Sequence, residues 1–130
     1  MDTNVIAECT AQSLAGRIAF PQVVAKLVSG GVERYLADLV GRQKISYGVG
    51  GAVHTEPLPF DGPEVARAFD GASVQAAIAD SQQGRIDYQT FLKRVMEAGC
   101  SHYEVYLTGR KAIYLGRDGG QHIEHFPAGM

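Results

Sequence analysis

The fold is decided by two stretches that align without a gap when Ala11 is placed over Ala79. Residues 11–59 read AQSLAGRIAFPQVVAKLVSGGVERYLADLVGRQKISYGVGGAVHTEPLP, and residues 79–127 read ADSQQGRIDYQTFLKRVMEAGCSHYEVYLTGRKAIYLGRDGGQHIEHFP. Chance at ordinary residue frequencies gives about three identities over this length. The identical pairs number 16: Ala11/Ala79, Ser13/Ser81, Gly16/Gly84, Arg17/Arg85, Ile18/Ile86, Gly31/Gly99, Tyr35/Tyr103, Leu39/Leu107, Gly41/Gly109, Arg42/Arg110, Ile45/Ile113, Gly48/Gly116, Gly51/Gly119, His54/His122, Glu56/Glu124 and Pro59/Pro127. The constant offset therefore predicts a tandem duplication with a pseudo-twofold axis.

Each repeat begins with a pair of helices. The second helix of the pair has apolar residues at the i, i+1, i+4, i+5 spacing of an amphipathic helix, and the first has a weaker stripe in the same register. We expect the second helices to end at Gly30-Gly31 and at Gly99, and Asp87 to cap one of them. The side chains expected in the core are Val24, Leu27, Val28, Leu92, Val95 and Met96.

Downstream of the helices the apolar period changes to two, which predicts three antiparallel strands in each repeat. The pairs Gly41-Arg42 and Gly109-Arg110 are expected at hairpin turns, with glycine at positive φ. Residues 1–60 form the first repeat, 61–68 a connector whose sequence is compatible with a short helix beginning at Pro63, and 69–127 the second repeat. The predicted fold class is α+β, a tandem duplication of a helix-helix-three-stranded meander unit with one shared core in a single domain, residues 1–130.

Composition excludes several classes of function. The net charge is −2 and lysine and arginine are scattered singly, so the basic surface of a nucleic-acid-binding protein is not expected. No apolar run approaches the length of a membrane span, and no secretory signal is recognisable, which predicts a cytoplasmic protein without membrane contact. In that compartment Cys9 and Cys100 are expected to be reduced, packed thiols.

Two His-x-Glu triplets are the best candidates for chemistry. His54 and Glu56 in the first repeat correspond to His122 and Glu124 in the second, and residues i and i+2 of a strand share a face. If the two triplets met, two imidazoles and two carboxylates could bind zinc, manganese or iron. The alternative is structural, because a hydrogen-bonded His–Glu pair satisfies itself at a sheet edge.

The motifs GRIDYQTFLKRVMEAGCSHYEVYLTGRKAIYLGRDG and HIEHFP resemble the YdfO-like family of small bacterial proteins. Some members are borne by prophages, and the family is sometimes labelled phage envelope protein. The resemblance covers about residues 5–127 and implies an α+β fold of phage-related origin. It implies no reaction, because family membership without a site does not define function.

The residues favour a non-enzymatic intracellular binding or interaction module that needs no cofactor. Its partner would be a protein or a small molecule, and the sequence leaves the oligomeric state open. The alternative function is a metal-dependent or small-ligand enzyme that uses the paired triplets at His54, Glu56, His122 and Glu124.

Overall fold

Four helices cover one face of a six-stranded antiparallel sheet in the computed structural model, which describes all residues from 1 to 130. The first half contains α1 (Thr3–Leu14), α2 (Phe20–Ser29), β1 (Val32–Asp38), β2 (Gln43–Gly48) and β3 (Val53–Pro57). The second half contains α3 (Gly71–Gln82), α4 (Tyr88–Glu97), β4 (Cys100–Tyr106), β5 (Lys111–Gly116) and β6 (Gln121–His125). Both ends of every element are shifted from its counterpart by the offset of the sequence alignment, so the fold is α+β with the same element order in both halves.

The two predicted meanders are joined into one sheet with the strand order β3-β2-β1-β4-β5-β6. Strands β1 and β4 pair antiparallel at the centre, where Leu36 lies opposite Glu104. These two residues are themselves equivalent in the alignment of the two halves, so the halves meet at matching points of their first strands. The third strands, β3 and β6, consequently form the two outer edges.

Aspartate side chains begin three of the helices. Asp2 accepts hydrogen bonds from the backbone N–H groups of Asn4 and Val5 at 3.0 and 3.2 Å, and Asp70 accepts one from Ser73 at 3.2 Å. Asp87 caps α4 as expected, accepting from the N–H of Thr90 at 2.9 Å. Each cap satisfies a donor that the first helical turn leaves without an intrahelical partner.

The core is one cluster of 25 buried residues from both halves. Five of the six side chains predicted to be buried on the second helices are buried: Val24, Leu27, Leu92, Val95 and Met96. The prediction was wrong for Val28, whose exposed fraction is 54% although its counterpart Met96 is buried. The difference arises from the connector near Gly62 and Ala66, which lies against Met96, whereas no segment of the chain takes the corresponding place beside Val28.

The connector contains no helix, so the short helix with which the sequence at Pro63 is compatible does not form. The connector instead follows the end of α4, where the N–H of Ala66 donates to the carbonyl of Met96 at 3.0 Å and that of Asp70 to Ala98 at 2.8 Å. The N–H of Ala66 is thus bonded to α4 and not to a carbonyl of a helical turn within the connector, and the second bond ties the start of α3 to the same helix end. Gly99 has φ +93, and a Cβ there would lie 2.2 Å from the carbonyl oxygen of Ala68, so this crossing requires glycine.

The hairpin turns after β1 and β4 also differ from the prediction. The residues at positive φ are Arg42 and Arg110, both at φ 56, and not the glycines that precede them. A Cβ on Gly41 would lie 2.5 Å from the Asp38 carboxylate, so a larger residue there would displace that side chain. Arg42 donates to the carbonyl of Phe60 at 2.6 Å and thereby holds the chain that leaves β3.

The face of the sheet opposite the helices is not covered by any other element. Strands β2 and β5 direct their aliphatic side chains to this open face, where Ile45, Ile113 and Leu115 are only half-buried. The positions between them face the helices and include Lys44, Ser46, Ala112 and Tyr114, all of them buried. A lysine thus occupies an inward position in the first half where the second half has an alanine.

Candidate functional site

The structure places the two His-x-Glu triplets at opposite edges of the sheet. His54 and Glu56 lie on β3, and His122 and Glu124 lie on β6. Five strand intervals separate these strands, which corresponds to about 24 Å at the usual interstrand spacing. The two triplets therefore do not form one centre.

Within each triplet the two side chains share a face, but their contacts differ. The imidazole of His122 and the carboxylate of Glu124 are 2.9 Å apart. Glu56 instead accepts a hydrogen bond from the Thr10 hydroxyl at 3.0 Å, and no hydrogen bond joins it to His54. No group of three or more His, Cys, Asp or Glu side chains in the structure could hold a metal ion. Hypotheses of ligand binding at these residues must therefore treat each edge separately.

The main concave feature is a cavity of about 830 Å³ between the sheet and the bends of the two helical hairpins. Both Gly-Arg-Ile segments, residues 16–18 and 84–86, line it, as do Tyr35, Lys44 and Tyr103 on the inner face of the sheet. Arg17 and Arg85 are exposed at its rim, so the cavity reaches solvent there. Its volume lies in the range of pockets that enclose small organic molecules.

Lys44 is the buried cation of this cavity. Its exposed fraction is 5%, and its Nζ donates to the hydroxyl of Thr10 at 3.2 Å. The Thr10 hydroxyl donates in turn to Glu56, so the carboxylate fixes the direction of the hydroxyl and leaves its lone pairs toward the lysine. The Nζ also lies 4.4 Å from the centroid of the Tyr35 ring.

Burial lowers the pKa of Lys44 from its ordinary value, and the nearby Glu56 only partly opposes this effect. The ammonium group makes no ion pair within 4.0 Å, because the carboxylate is reached only through Thr10. A buried charge without a paired counter-ion destabilises the fold.

Lys44→Met should therefore raise the free energy of unfolding at neutral pH by about 1–3 kcal/mol. The native state releases the Lys44 proton at a lower pH than the unfolded chain, whose ordinary pKa is 10.5. Between these two pKa values the unfolded chain holds more protons, so the stability of the wild type rises with pH. The difference in free energy of unfolding between Lys44→Met and the wild type should therefore shrink as the pH approaches 10.5. Urea unfolding at several pH values measures this difference. A difference that does not change with pH would contradict the conclusion that Lys44 is a buried cation with a lowered pKa.

Aromatic side chains line the other half of the cavity. The ring centroids of Tyr103 and Tyr114 are 5.2 Å apart, and Phe91 meets both rings edge to face at 6.4 and 6.1 Å. The hydroxyl groups of Tyr88 and Tyr103 are hydrogen-bonded at 2.5 Å. Burial raises the pKa of Tyr88 to about 12, so this hydroxyl is neutral at physiological pH. These rings form an aromatic, uncharged wall of the cavity.

One hydrogen bond links the two helical hairpins close to their Gly-Arg-Ile bends. The side-chain amide of Gln89 on α4 donates to the carbonyl of Leu14 at 2.7 Å, where α1 ends. The bond satisfies one of the carbonyl groups that a helix leaves free at its C-terminus. It also holds the two Gly-Arg-Ile bends beside each other, so the cavity is formed by both halves.

No protein-family model matches the chain, and no curated protein matches it in sequence. None of the four helices has the length and apolar composition that are needed to cross a membrane. The likeness to YdfO-like proteins rests on the motifs alone and stays a prediction. The cavity, its buried lysine and its aromatic surface are therefore the features from which a function can be argued.

Proposed function

We propose that the protein is a binding module for a small organic molecule, which it encloses between the helices and the sheet. The observation that carries the proposal is the cavity of about 830 Å³ that Lys44 and an aromatic cluster of Phe91, Tyr103 and Tyr114 line. Such an apolar pocket with a few convergent polar groups is the usual form of a small-molecule site.

The position of the cavity supports this proposal. It lies where the two halves meet, and both Gly-Arg-Ile bends reach its rim. The segments with identical sequence in the two halves thus surround the opening, and several side chains behind them differ between the halves. Ligand sites are common at such junctions between structural units.

The proposal can be tested with N-phenyl-1-naphthylamine, an uncharged fluorescent probe whose emission rises in apolar surroundings. We expect saturable binding to the wild type. Ala112→Leu places a larger side chain at a buried position that lines the cavity, and it should weaken binding about tenfold, which corresponds to about 1.4 kcal/mol.

The matched control is Ala7→Leu on the exposed side of α1, which should leave binding unchanged. Because overpacking can destabilise a core, a second variant, Ala19→Trp, obstructs the cavity from the exposed rim. Circular dichroism shows whether each variant is folded. Binding that is absent in the wild type, or unaffected by both obstructing variants, would refute the proposed function.

We also propose that the two halves arose by tandem duplication and are related by a pseudo-twofold axis. The proposal is supported by the 16 identities between the aligned halves and by the same offset between all paired element bounds. The central pairing of Leu36 with Glu104 is also what such an axis requires. If the halves arose by duplication, equivalent positions that now carry different residues show where the two halves have taken on different roles.

A further inference from the structure

The two halves differ in polarity where they face the cavity. Lys44 and Thr10 in the first half are equivalent to Ala112 and Ile78 in the second, and all four side chains line the cavity. The polar network of one half is thus replaced by aliphatic groups in the other. A molecule in the cavity meets a cationic end and an apolar end.

The apolar end is also the aromatic end. Ser46 in the first half corresponds to Tyr114 in the second, and Val23 corresponds to Phe91. Together with Tyr103 these residues form ring contacts that are present only in the second half. A flat ring system would extend this edge-to-face and offset packing, which is the geometry that aromatic groups prefer.

Lys44 has donors to spare at the cationic end. An ammonium group has three N–H donors, and the hydroxyl of Thr10 accepts one of them. The side chain lines the cavity and is almost fully buried, so water has little access to the others. A carboxylate from a ligand would supply both the missing acceptors and the missing counter-charge.

Two further charged side chains that line the cavity, Glu124 and Arg17, favour one orientation of such a ligand. Glu124 lines the cavity in the second half, where its carboxylate contacts only the imidazole of His122 at 2.9 Å. A ligand carboxylate at that end would meet a like charge. Arg17 at the rim makes no ion pair and adds positive charge to the entrance, which favours the approach of anions.

We propose that the ligand is an aromatic carboxylate, with its carboxylate on the Nζ of Lys44 and its ring against Phe91, Tyr103 and Tyr114. This inference rests on the proposed small-molecule cavity. Thr10 and Glu56 act as positioning residues, because the bond from Thr10 to Glu56 fixes the acceptor that holds the lysine. Glu56, which the His-x-Glu triplet singled out, thus acts on Lys44 through Thr10, at the β3 edge of the sheet.

Isothermal titration calorimetry with 2-naphthoate and 2-naphthamide tests the charge requirement directly. The two probes have the same ring system, and only the carboxylate is charged. In the wild type we expect 2-naphthoate to bind at least about tenfold more tightly than 2-naphthamide. In Lys44→Met the two affinities should become equal through a loss for the acid, because methionine keeps the shape of the site and removes the charge.

The control is Lys93→Met, which removes an exposed lysine on α4 and should leave the preference for the acid intact. Equal affinities of the acid and the amide in the wild type overturn the inference, as does a preference that persists in Lys44→Met. The wild-type comparison needs no variant, so it decides the matter even if Lys44→Met does not fold. N-phenyl-1-naphthylamine binding that Ala112→Leu weakens would still support the proposed function in either case, so the two failures are distinguishable.

Discussion

Leu92→Ala should lower the free energy of unfolding by about 2–5 kcal/mol. Leu92 has no exposed surface, and it lies on the face of α4 that packs into the shared core. Truncation removes apolar contacts and leaves a cavity that the surrounding helices and sheet can only partly close. Since whole domains are stable by about 5–15 kcal/mol, the loss is a large fraction of the total.

Urea unfolding followed by far-ultraviolet circular dichroism measures this loss as a shift in the midpoint at constant slope. Val28→Ala is the control, because Val28 lies on the corresponding helix α2 with 54% of its surface exposed. It should change the free energy of unfolding by no more than about 0.5 kcal/mol. Similar losses in the two variants would show that the burial of the two helices is not as different as the structure indicates.

The contrast between Val28 and Met96 shows what helical periodicity can predict. The stripe at the i, i+1, i+4, i+5 positions correctly places Leu27, Leu92 and Val95 in the core. At the flank of the stripe, burial depends on whether another segment covers the helix. The connector covers Met96 and not Val28, and its path depends on hydrogen bonds to the end of α4 that no local pattern encodes.

The strands show a second limit. In β2 and β5 the aliphatic residues alternate with inward positions, and the pattern by itself favours burying Ile45 and Ile113. The structure instead places Lys44 and Ala112 toward the helices, because antiparallel pairing puts Tyr35 opposite Ser46 and so faces the even-numbered residues of β2 inward. A lysine between Gln43 and Ile45 carries no signal of burial until this register is known.

The candidate site was predictable only in part for the same reason. That the residues of each His-x-Glu triplet share a face follows from the two-residue period of a strand, and the contact between His122 and Glu124 agrees with it. Whether the triplets meet depends on the strand order, because pairing β1 with β4 sends β3 and β6 to opposite edges. The identity of Tyr35 and Tyr103 was visible in the repeat, but their position beside Lys44 and Tyr114 required the fold.

The protein should unfold cooperatively above pH 10, because three tyrosines are buried in and around the cavity and a fourth, Tyr88, is partly buried there. Burial raises the pKa of Tyr35, Tyr88, Tyr103 and Tyr114 above the ordinary value of 10.0, with that of Tyr88 reaching about 12. A group with a raised native pKa contributes its full stability below the pKa of the unfolded chain and loses it as the pH rises toward the native value. Above pH 10 the unfolded chain ionises these tyrosines and the native state does not.

The expected loss of stability above pH 10 is large. At one pH unit above the ordinary pKa, each tyrosine that ionises only in the unfolded chain shifts the equilibrium by about 1.4 kcal/mol. Four of them together lower the free energy of unfolding by an amount on the order of 5 kcal/mol. The buried thiol of Cys100, whose pKa burial raises to about 12, acts in the same direction. Lys44 acts oppositely, but its contribution ends near pH 10.5, where the unfolded lysine is also deprotonated.

Tyrosinate absorbance and circular dichroism, recorded together against pH, test this prediction. Ionisation of the buried tyrosines should coincide with loss of the fold, because the hydroxyl groups ionise only when the chain opens.

Tyr114→Phe is the informative variant, since no hydrogen bond to the Tyr114 hydroxyl contributes to its raised pKa. Removing the hydroxyl therefore deletes one titrating group and leaves no hydrogen-bond partner unsatisfied. At one pH unit above the ordinary tyrosine pKa this variant should retain about 1.4 kcal/mol more stability than the wild type, relative to neutral pH. Tyrosinate absorbance that rises fully while the circular dichroism stays native would mean that water reaches these hydroxyl groups in the folded protein, and the cavity would then be a wet, polar site unsuited to an aromatic ring.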